Sequence, residues 1–246
     1  MRICFLGTSG WFDTRLGNTL SVLLDTKRAY IVFDAGGGFY KLDRYVKEKK
    51  PVIVLLSHFH LDHIIGLHAL AKFNFPQGIT FYGPPGIKKM FRQIINFPYS
   101  MPVKQLKTKL KIRDVAGNLS LPAGIQYRKL RHTGTCYGYR VEAEGKVVTF
   151  CTDTGLCRNL DLLAKGADVF IVESSLPPGK TDRSWPHLNP QQAALTAKNA
   201  GAKKLFLVHF DSGVYFANKD RITAQKAAKK IFNNTMAAKD GFSCIV

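Results

Sequence analysis

The aliphatic run Val52-Ile53-Val54-Leu55-Leu56 leads without a spacer into Ser57-His58-Phe59-His60-Leu61-Asp62-His63, so one strand must deliver three imidazoles and a carboxylate within six positions. A short apolar run bounded by polar residues is the pattern of a strand buried on both faces. Crowding imidazole and carboxylate groups at the end of such a strand is costly unless they are paired or hold a cation. A loop leaving the strand can turn His58 and His60 toward one ion while Asp62 and His63 face a second. Nitrogen and oxygen donors of this kind suit zinc, with manganese and iron as near competitors.

Such a site needs donors from elsewhere in the chain, and other strand ends supply them. Arg131-His132-Thr133 follows an expected strand ending near Leu130, Cys151-Thr152-Asp153-Thr154-Gly155 follows Val147 to Phe150, and Val208-His209-Phe210 follows Lys204 to Leu207. Taken singly, each reads as a packed or capped residue. Their recurrence after expected strands makes His132, Asp153 and His209 candidate partners of the dense cluster.

Strands are also expected at Arg2 to Leu6, Thr19 to Leu24, Ala29 to Asp34, Gly78 to Tyr82, Gly124 to Lys129, Tyr137 to Glu142 and Val169 to Glu173, each apolar or β-branched between turn residues. Helices are expected at Tyr40 to Lys49, Gly66 to Lys72, Gly86 to Asn96, Pro190 to Asn199 and Arg221 to Phe232. Asn189 reads as the N-cap of the fourth, with Pro190 in its first turn and Gly201 just past its end. Strands that first cluster and then alternate with helices predict sheets covered by helices on their outer faces. No repeat or Gly/Ser/Pro-rich linker divides the chain, so residues 1–246 are read as a single domain.

Composition narrows the class. At 46% hydrophobic residues the chain is not disordered, and it holds no apolar run near the ~20 residues of a membrane span. The opening Met1 to Gly7 is too quickly polar for a signal peptide, and the five cysteines show no CxxC spacing, so reduced thiols in a cytoplasmic protein are expected. Lys and Arg number 36 against 17 Asp and Glu, a net charge of +19 that attracts polyanions. The stretch from Ile64 to Arg113 has basic residues and no acidic ones, interleaved with aromatics such as Phe73, Phe81, Phe97 and Tyr99. Such a mixture can pair phosphates and stack bases, or be a surface layer with a packed apolar side, the better reading for each aromatic alone.

The pattern His58-x-His60-x-Asp62-His63 followed by His132, Asp153 and His209 resembles the metallo-β-lactamase superfamily over nearly the whole chain, with Asp34 in Ile31-Val32-Phe33-Asp34-Ala35-Gly36 matching its first motif. The resemblance implies an α+β fold, the four-layer αββα sandwich, with the site at one edge of two sheets. It also implies two divalent ions, zinc foremost, held by His58, His60 and His132 on one side and Asp62, His63 and His209 on the other, with Asp153 bridging. Asp34 would orient the cluster loop by hydrogen bonds. Two ions about 3.5–4 Å apart share a water, bring its pKa toward neutrality and leave a metal-bound hydroxide poised for attack, so the implied chemistry is hydrolysis. Asp62 would also accept a hydrogen bond from that water.

Asp153 in place of a cysteine sets the chain apart from β-lactamases with a thiolate on the second zinc. The opening Phe5-Leu6-Gly7-Thr8-Ser9-Gly10, with Arg15-Leu16-Gly17-Asn18-Thr19, looks like the branch of ribonuclease Z and the cyclic phosphodiesterases of phosphonate metabolism. Glu173 and His187 also match that branch, where the histidine donates a proton to the leaving oxygen and the glutamate orients it. His68 falls outside the motif and is read as a helix residue. Two departures from ribonuclease Z stand out: only 20 residues separate His132 from Asp153, where that enzyme carries its tRNA-gripping arm, and Phe210-Asp211-Ser212-Gly213-Val214-Tyr215 lacks its Ser-x-Arg-Tyr. The basic interval between His63 and His132 is instead available as a different wall over the site.

The expected function is therefore a dinuclear-metal phosphodiesterase acting on a nucleotide, a cyclic phosphate or a nucleic acid, with an anionic, phosphate-bearing substrate and no membrane partner. The alternatives are a β-lactam, lactone or ester hydrolase of the same fold, and a basic nucleic-acid-binding module with a vestigial site. A homodimer is compatible with the resemblance, although no dimer face is legible.

Overall fold

The computed structural model describes residues 1–115 and 121–246. The first half of the chain supplies β1 (Arg2–Gly7), β2 (Ser9–Gly10), β3 (Ser21–Asp25), β4 (Tyr30–Phe33), β5 (Val52–Leu55), β6 (Ile79–Gly83) and β7 (Leu110–Asp114). The second supplies β8 (Ile125–Lys129), β9 (Tyr137–Ala143), β10 (Lys146–Cys151), β11 (Val169–Glu173), β12 (Leu205–Val208), β13 (Phe210–Asp211), β14 (Thr235–Ala237) and β15 (Ser243–Ile245). One sheet has the order β15-β1-β3-β4-β5-β6-β7, the other β14-β12-β11-β10-β9-β8, and β13 pairs with β2 in a small ribbon between them.

Alternation along the central strands assigns their residues to separate layers. Ile3, Phe5, Ile53 and Leu55 face the second sheet, where they meet Tyr139, Val148, Phe150, Val169, Ile171 and Phe206. Their neighbours Cys4, Leu6, Val52 and Val54 face outward onto Phe39, Leu67, Phe73 and Phe91. On the far side, Phe170, Val172, Leu205 and Leu207 pack on helices α3 (Arg158–Ala164), α4 (Pro190–Asn199) and α5 (Asn218–Lys229) through Leu160, Ala193, Ala197 and Ala224. Three apolar layers between four layers of structure make the αββα sandwich, because each sheet has two apolar faces to cover.

Asn189 caps α4 by accepting the Gln192 N–H, while the Gln192 side chain returns to the Asn189 N–H. The other helices differ from expectation at their ends. In place of Tyr40 to Lys49 there is a 3-10 helix over Gly37–Arg44, whose first turn lies directly on Asp13 and Leu6, where Gly37 and Gly38 leave no Cβ to clash. The short helix α1 (Leu61–Ile64) runs into a second 3-10 helix over Ile65–Lys72, and α2 is limited to Ile87–Ile94 after Gly86 in left-handed conformation. Helix α5 starts earlier, at Asn218, where Asp220 accepts the Ala217 N–H. The short helix α3 and the strands β7, β14 and β15 had no signal in the sequence reading.

Strand β7 is the outer edge of the first sheet, and Lys111 and Arg113 on it keep that edge from pairing with other chains. Much of the basic interval thus serves the sheet edge and the outer helical layer, and Phe73, Phe75, Phe81 and Phe91 are buried in that layer. No helix among the described residues is long and apolar enough to cross a membrane.

The Phe33 and Phe150 rings stack at 4.9 Å and 9° at the centre of the inter-sheet layer. Phe150→Ala is expected to lower the unfolding free energy by about 3–5 kcal/mol, read from the urea midpoint at unchanged slope.

Candidate metal centre

The candidate residues all sit where strands end. Asp34 follows β4, the His58 to His63 loop follows β5, His132 follows β8, Asp153 follows β10, Glu173 closes β11 and His209 follows β12. In open sheets with parallel strands, ligands bind beyond the carboxyl ends. Here two such edges, one from each sheet, face each other.

Asp34 ties the cluster loop down. Its Oδ1 accepts the Ser57 N–H at 2.7 Å, and its Oδ2 accepts the Ser57 hydroxyl at 2.8 Å and faces His63 Nδ1 at 2.8 Å, all fully buried. Gly36 and Gly66 let the loop lie directly on the end of β4, since a Cβ on either would fall about 2 Å from a backbone oxygen.

The hydrogen bonds fix how three imidazoles are turned. The Ser57 hydroxyl gives its hydrogen to Asp34, so its oxygen accepts from His58 Nδ1 at 2.9 Å. The Ser175 hydroxyl gives its hydrogen to the His209 carbonyl, so its oxygen accepts from His209 Nδ1 at 2.8 Å. His63 Nδ1 is held by Asp34. All three rings therefore direct Nε2 inward, at 3.7 Å, 3.2 Å and 3.3 Å from the Asp153 carboxylate for His58, His63 and His209. His58 Nε2 is buried with no hydrogen-bond partner, and the Nε2 atoms of His63 and His209 face each other at 3.1 Å. Converging lone pairs beside carboxylates are stable only with a cation or added protons between them, and imidazoles whose Nδ1 is engaged by oxygen present Nε2 as a ligand. The donor set fits divalent ions of the zinc, manganese or iron type.

The groups fall into three sets whose donor atoms lie within 4.8 Å of one another: His58, His60, His132 and Asp153 in one, Asp62, His63 and His209 in the second, and Asp153 and His209 again with His187 in the third. His60 Nδ1 stands 3.4 Å from His132 Nε2, and Asp62 Oδ2 lies 3.1 Å from His209 Nε2 and 3.3 Å from His63 Nε2. Burial by itself would raise the carboxyl pKa values of Asp62 and Asp153, but the surrounding imidazoles hold both well below the usual carboxylate range. Burial opposes protonation of His63 too, yet Asp62, Asp153 and Asp34 push it well above the ordinary imidazole value. His58 is driven the other way by burial and by His63.

Beside this cluster, burial disfavours the charged form of His187, and the Glu173 carboxylate overrides it, raising the imidazole to about 9. Glu173 Oε1 and Oε2 lie 2.9 and 3.0 Å from His187 Nδ1, and Oε1 also accepts the Thr154 N–H. The loop carrying His187 is closed at its base by Leu176 N–H to Leu188 O at 3.0 Å. A cavity of about 240 Å³ opens over Asp62, Asp153, His60, His187 and His209, walled by Trp11, Trp185 and Asp211.

The family model of the beta-lactamase superfamily domain matches residues 29–210. The chain belongs to that superfamily. A ribonuclease Z of Ligilactobacillus salivarius is 27% identical, with 98% of this chain and 95% of the relative covered. That alignment runs over 307 positions against 246 residues here, so the relative carries residues this chain lacks. Among solved structures, the metallo-beta-lactamase fold protein YhfI of Bacillus subtilis superposes with a TM-score of 0.80 at 26% identity over 99% of both chains. The short form of human tRNase Z shares the fold, with a TM-score of 0.77 at 20% identity over 100% and 99% of the two chains.

For a superfamily member, several positioning residues were not singled out from the sequence. Ser57 and Ser175 set the imidazole tautomers, and the Trp11 N–H donates to Asp62 Oδ2 at 2.9 Å. Arg221, buried on α5, grips Thr8 and Ser9 at 2.9 and 2.8 Å and so fixes the segment that carries Gly10 and Trp11. A lone Ser or Arg carries no sequence signal for such a role. The basic interval does not wall the cavity: among the described residues between His63 and His132, none lines it. His68 lies outside the cavity, exposed, with Nδ1 on the Ile65 carbonyl.

Gly10 lies flat against His209, and a Cβ there would come within 2.5–2.8 Å of three ring atoms. Gly10→Ala is expected to weaken divalent-metal binding about tenfold or more, because His209 must give up its Ser175 partner. Competition with a chromogenic chelator measures it, and unchanged affinity would show that His209 does not bind metal.

Proposed function

We propose that this chain, residues 1–246 as one unit, is a metal-dependent phosphodiesterase acting on nucleic acid or a nucleotide ester. The observation that carries this reading is the buried Glu173–His187 pair beside the carboxylate and imidazole cluster. Hydrolysis of an ester with an acidic leaving group needs no proton donor, whereas an alkoxide leaving from phosphorus needs one. Likeness to relatives named ribonuclease Z supports the substrate class. The missing residues and the short His132 to Asp153 interval argue against the tRNA-gripping arm.

In this reading His58, His60, His132 and Asp153 hold one divalent ion, and Asp62, His63, His209 and the shared Asp153 hold another. When bound, such ions supply Lewis acidity that activates water and neutralises phosphate charge. Asp62 accepts a hydrogen bond from the attacking water. With Nδ1 held by Glu173, His187 turns Nε2 toward the cavity and gives its proton to the leaving oxygen as the P–O bond breaks. Because Glu173 keeps the imidazole charged at neutral pH, the acid is loaded before substrate arrives.

Metal-loaded protein is expected to hydrolyse a chromogenic phosphodiester and not a chromogenic β-lactam or lactone, with Asp62→Ala inactive. Turnover of the lactam or lactone alone would overturn the assignment. His187→Ala is expected to lower kcat about 10²–10⁴-fold on alkyl leaving groups and much less on p-nitrophenolate. Equal losses on both would argue against an acid role.

The pH profile gives a separate test with a definite sign. A raised pKa means the proton is present below it and lost as pH rises through it, so kcat should fall near pH about 9. Glu173→Gln removes the upward push, so this alkaline limb should move down toward the ordinary imidazole value of 6.5. A limb that does not move would separate it from His187.

A further inference from the structure

His187 is a wall shared by two cavities. One is the cavity over the metal-binding cluster, and the other, of about 260 Å³, adjoins it at His187 and is lined by Arg131, Leu156, Arg183 and Pro186. Arg131 and Arg183 are exposed there, and among the described residues neither guanidinium has a carboxylate partner. The one acidic group in the cavity, Asp182, is turned back on its own loop: its Oδ1 accepts the N–H groups of Ser184 and Trp185 and the Ser184 hydroxyl. Two free guanidiniums opposite one engaged carboxylate make a concave, cationic surface, and forked guanidinium groups match phosphate oxygens. Leu156 and Pro186 add an apolar floor on which a sugar can rest.

Placement gives the cavity its meaning. The acid hands its proton to the leaving oxygen, so the group that this oxygen carries lies beside His187, next to the second cavity. We propose that the Arg131 and Arg183 cavity is a phosphate subsite for the leaving part of the substrate. The favoured substrate is then a phosphodiester whose leaving part bears a further phosphate, as in an oligonucleotide or a phosphorylated nucleotide. A cyclic phosphate or simple ester, whose leaving group carries none, would leave the subsite empty. This rests on the phosphodiesterase reading above.

Binding tests it without turnover. The chain has two tryptophans, so Trp11→Phe leaves Trp185, at the loop between the cavities, as a single fluorescent reporter. On metal-loaded protein, whose ions take one phosphate, uridine 3′,5′-bisphosphate is expected to bind about tenfold tighter than either uridine monophosphate, and Arg131→Ala with Arg183→Ala to abolish that preference. The Arg131 carbonyl still accepts the Gly155 N–H in that variant, so the backbone beside His132 keeps its anchor. Arg131→Lys and Arg183→Lys should restore part of the preference. Removing Lys226 and Lys229, exposed on α5, changes net charge equally and should not alter it.

Preference that survives loss of both arginines, or falls equally on loss of the α5 lysines, would overturn the subsite. Turnover supplies the second arm. Of two dinucleotides, one with an extra 5′-terminal and one with an extra 3′-terminal phosphate, one should exceed the plain dinucleoside monophosphate in kcat/KM, and longer RNA, compared with these, separates an oligonucleotide substrate from a small phosphorylated one. Hydrolysis of a lactone and of no dinucleotide would overturn the phosphodiesterase reading, and the fluorescence titration would still decide for or against the cavity.

Discussion

The Asp34 carboxylate is the interaction on which the site depends. It is fully buried, takes two hydrogen bonds from Ser57 and one contact from His63, and sits in left-handed backbone conformation at φ 56°. A buried carboxylate is stable only when its oxygens are satisfied, and here the satisfying groups belong to the cluster loop. Folding of β4 against β5 therefore sets the loop, and through Ser57 it also sets the tautomer of His58. One buried anion orders two imidazoles on a metal-facing edge before any ion binds.

Backbone strain is concentrated at the same place. Of the non-glycine residues with positive φ among those described, Trp11, Asp34, Asp153 and His209 all border the site. Each turns the chain sharply at or near a strand end, a conformation that costs about 1–3 kcal/mol and persists because the layers around it are well packed. The three apolar layers supply that support, and the Arg221 grip on Thr8 and Ser9 extends it to the segment carrying Gly10 and Trp11.

Charge is used at two scales. The excess of lysine and arginine covers sheet edges such as β7 and outer helices, where it favours solubility and draws polyanions from a distance. Near the cluster the cationic groups are few and placed: His187 held charged by Glu173, with Arg131 and Arg183 lining the cavity beside it. The basic interval between His63 and His132 acts at long range, whereas the cavity over the cluster is walled by Trp11, Trp185 and Asp211.

The sequence by itself determined the strands that end in donors, because an apolar run followed by His58, His60, Asp62 and His63 is a local signal that needs no partner to be read. The same holds for α4, whose Asn189, Pro190 and Gly201 act within a turn of their own backbone. Only the tertiary structure decided which long-range pairs orient those donors: Ser175 on His209, Arg221 on Thr8 and Ser9, Gly10 under the His209 ring. It likewise decided that Trp11 and Trp185, far apart in the chain, flank one cavity in place of the basic interval. The reason is physical. Periodicity and capping act over a few residues, whereas hydrogen bonds and close approaches between distant strand ends exist only once both sheets have packed, and a lone serine, glycine or tryptophan leaves no pattern in the chain.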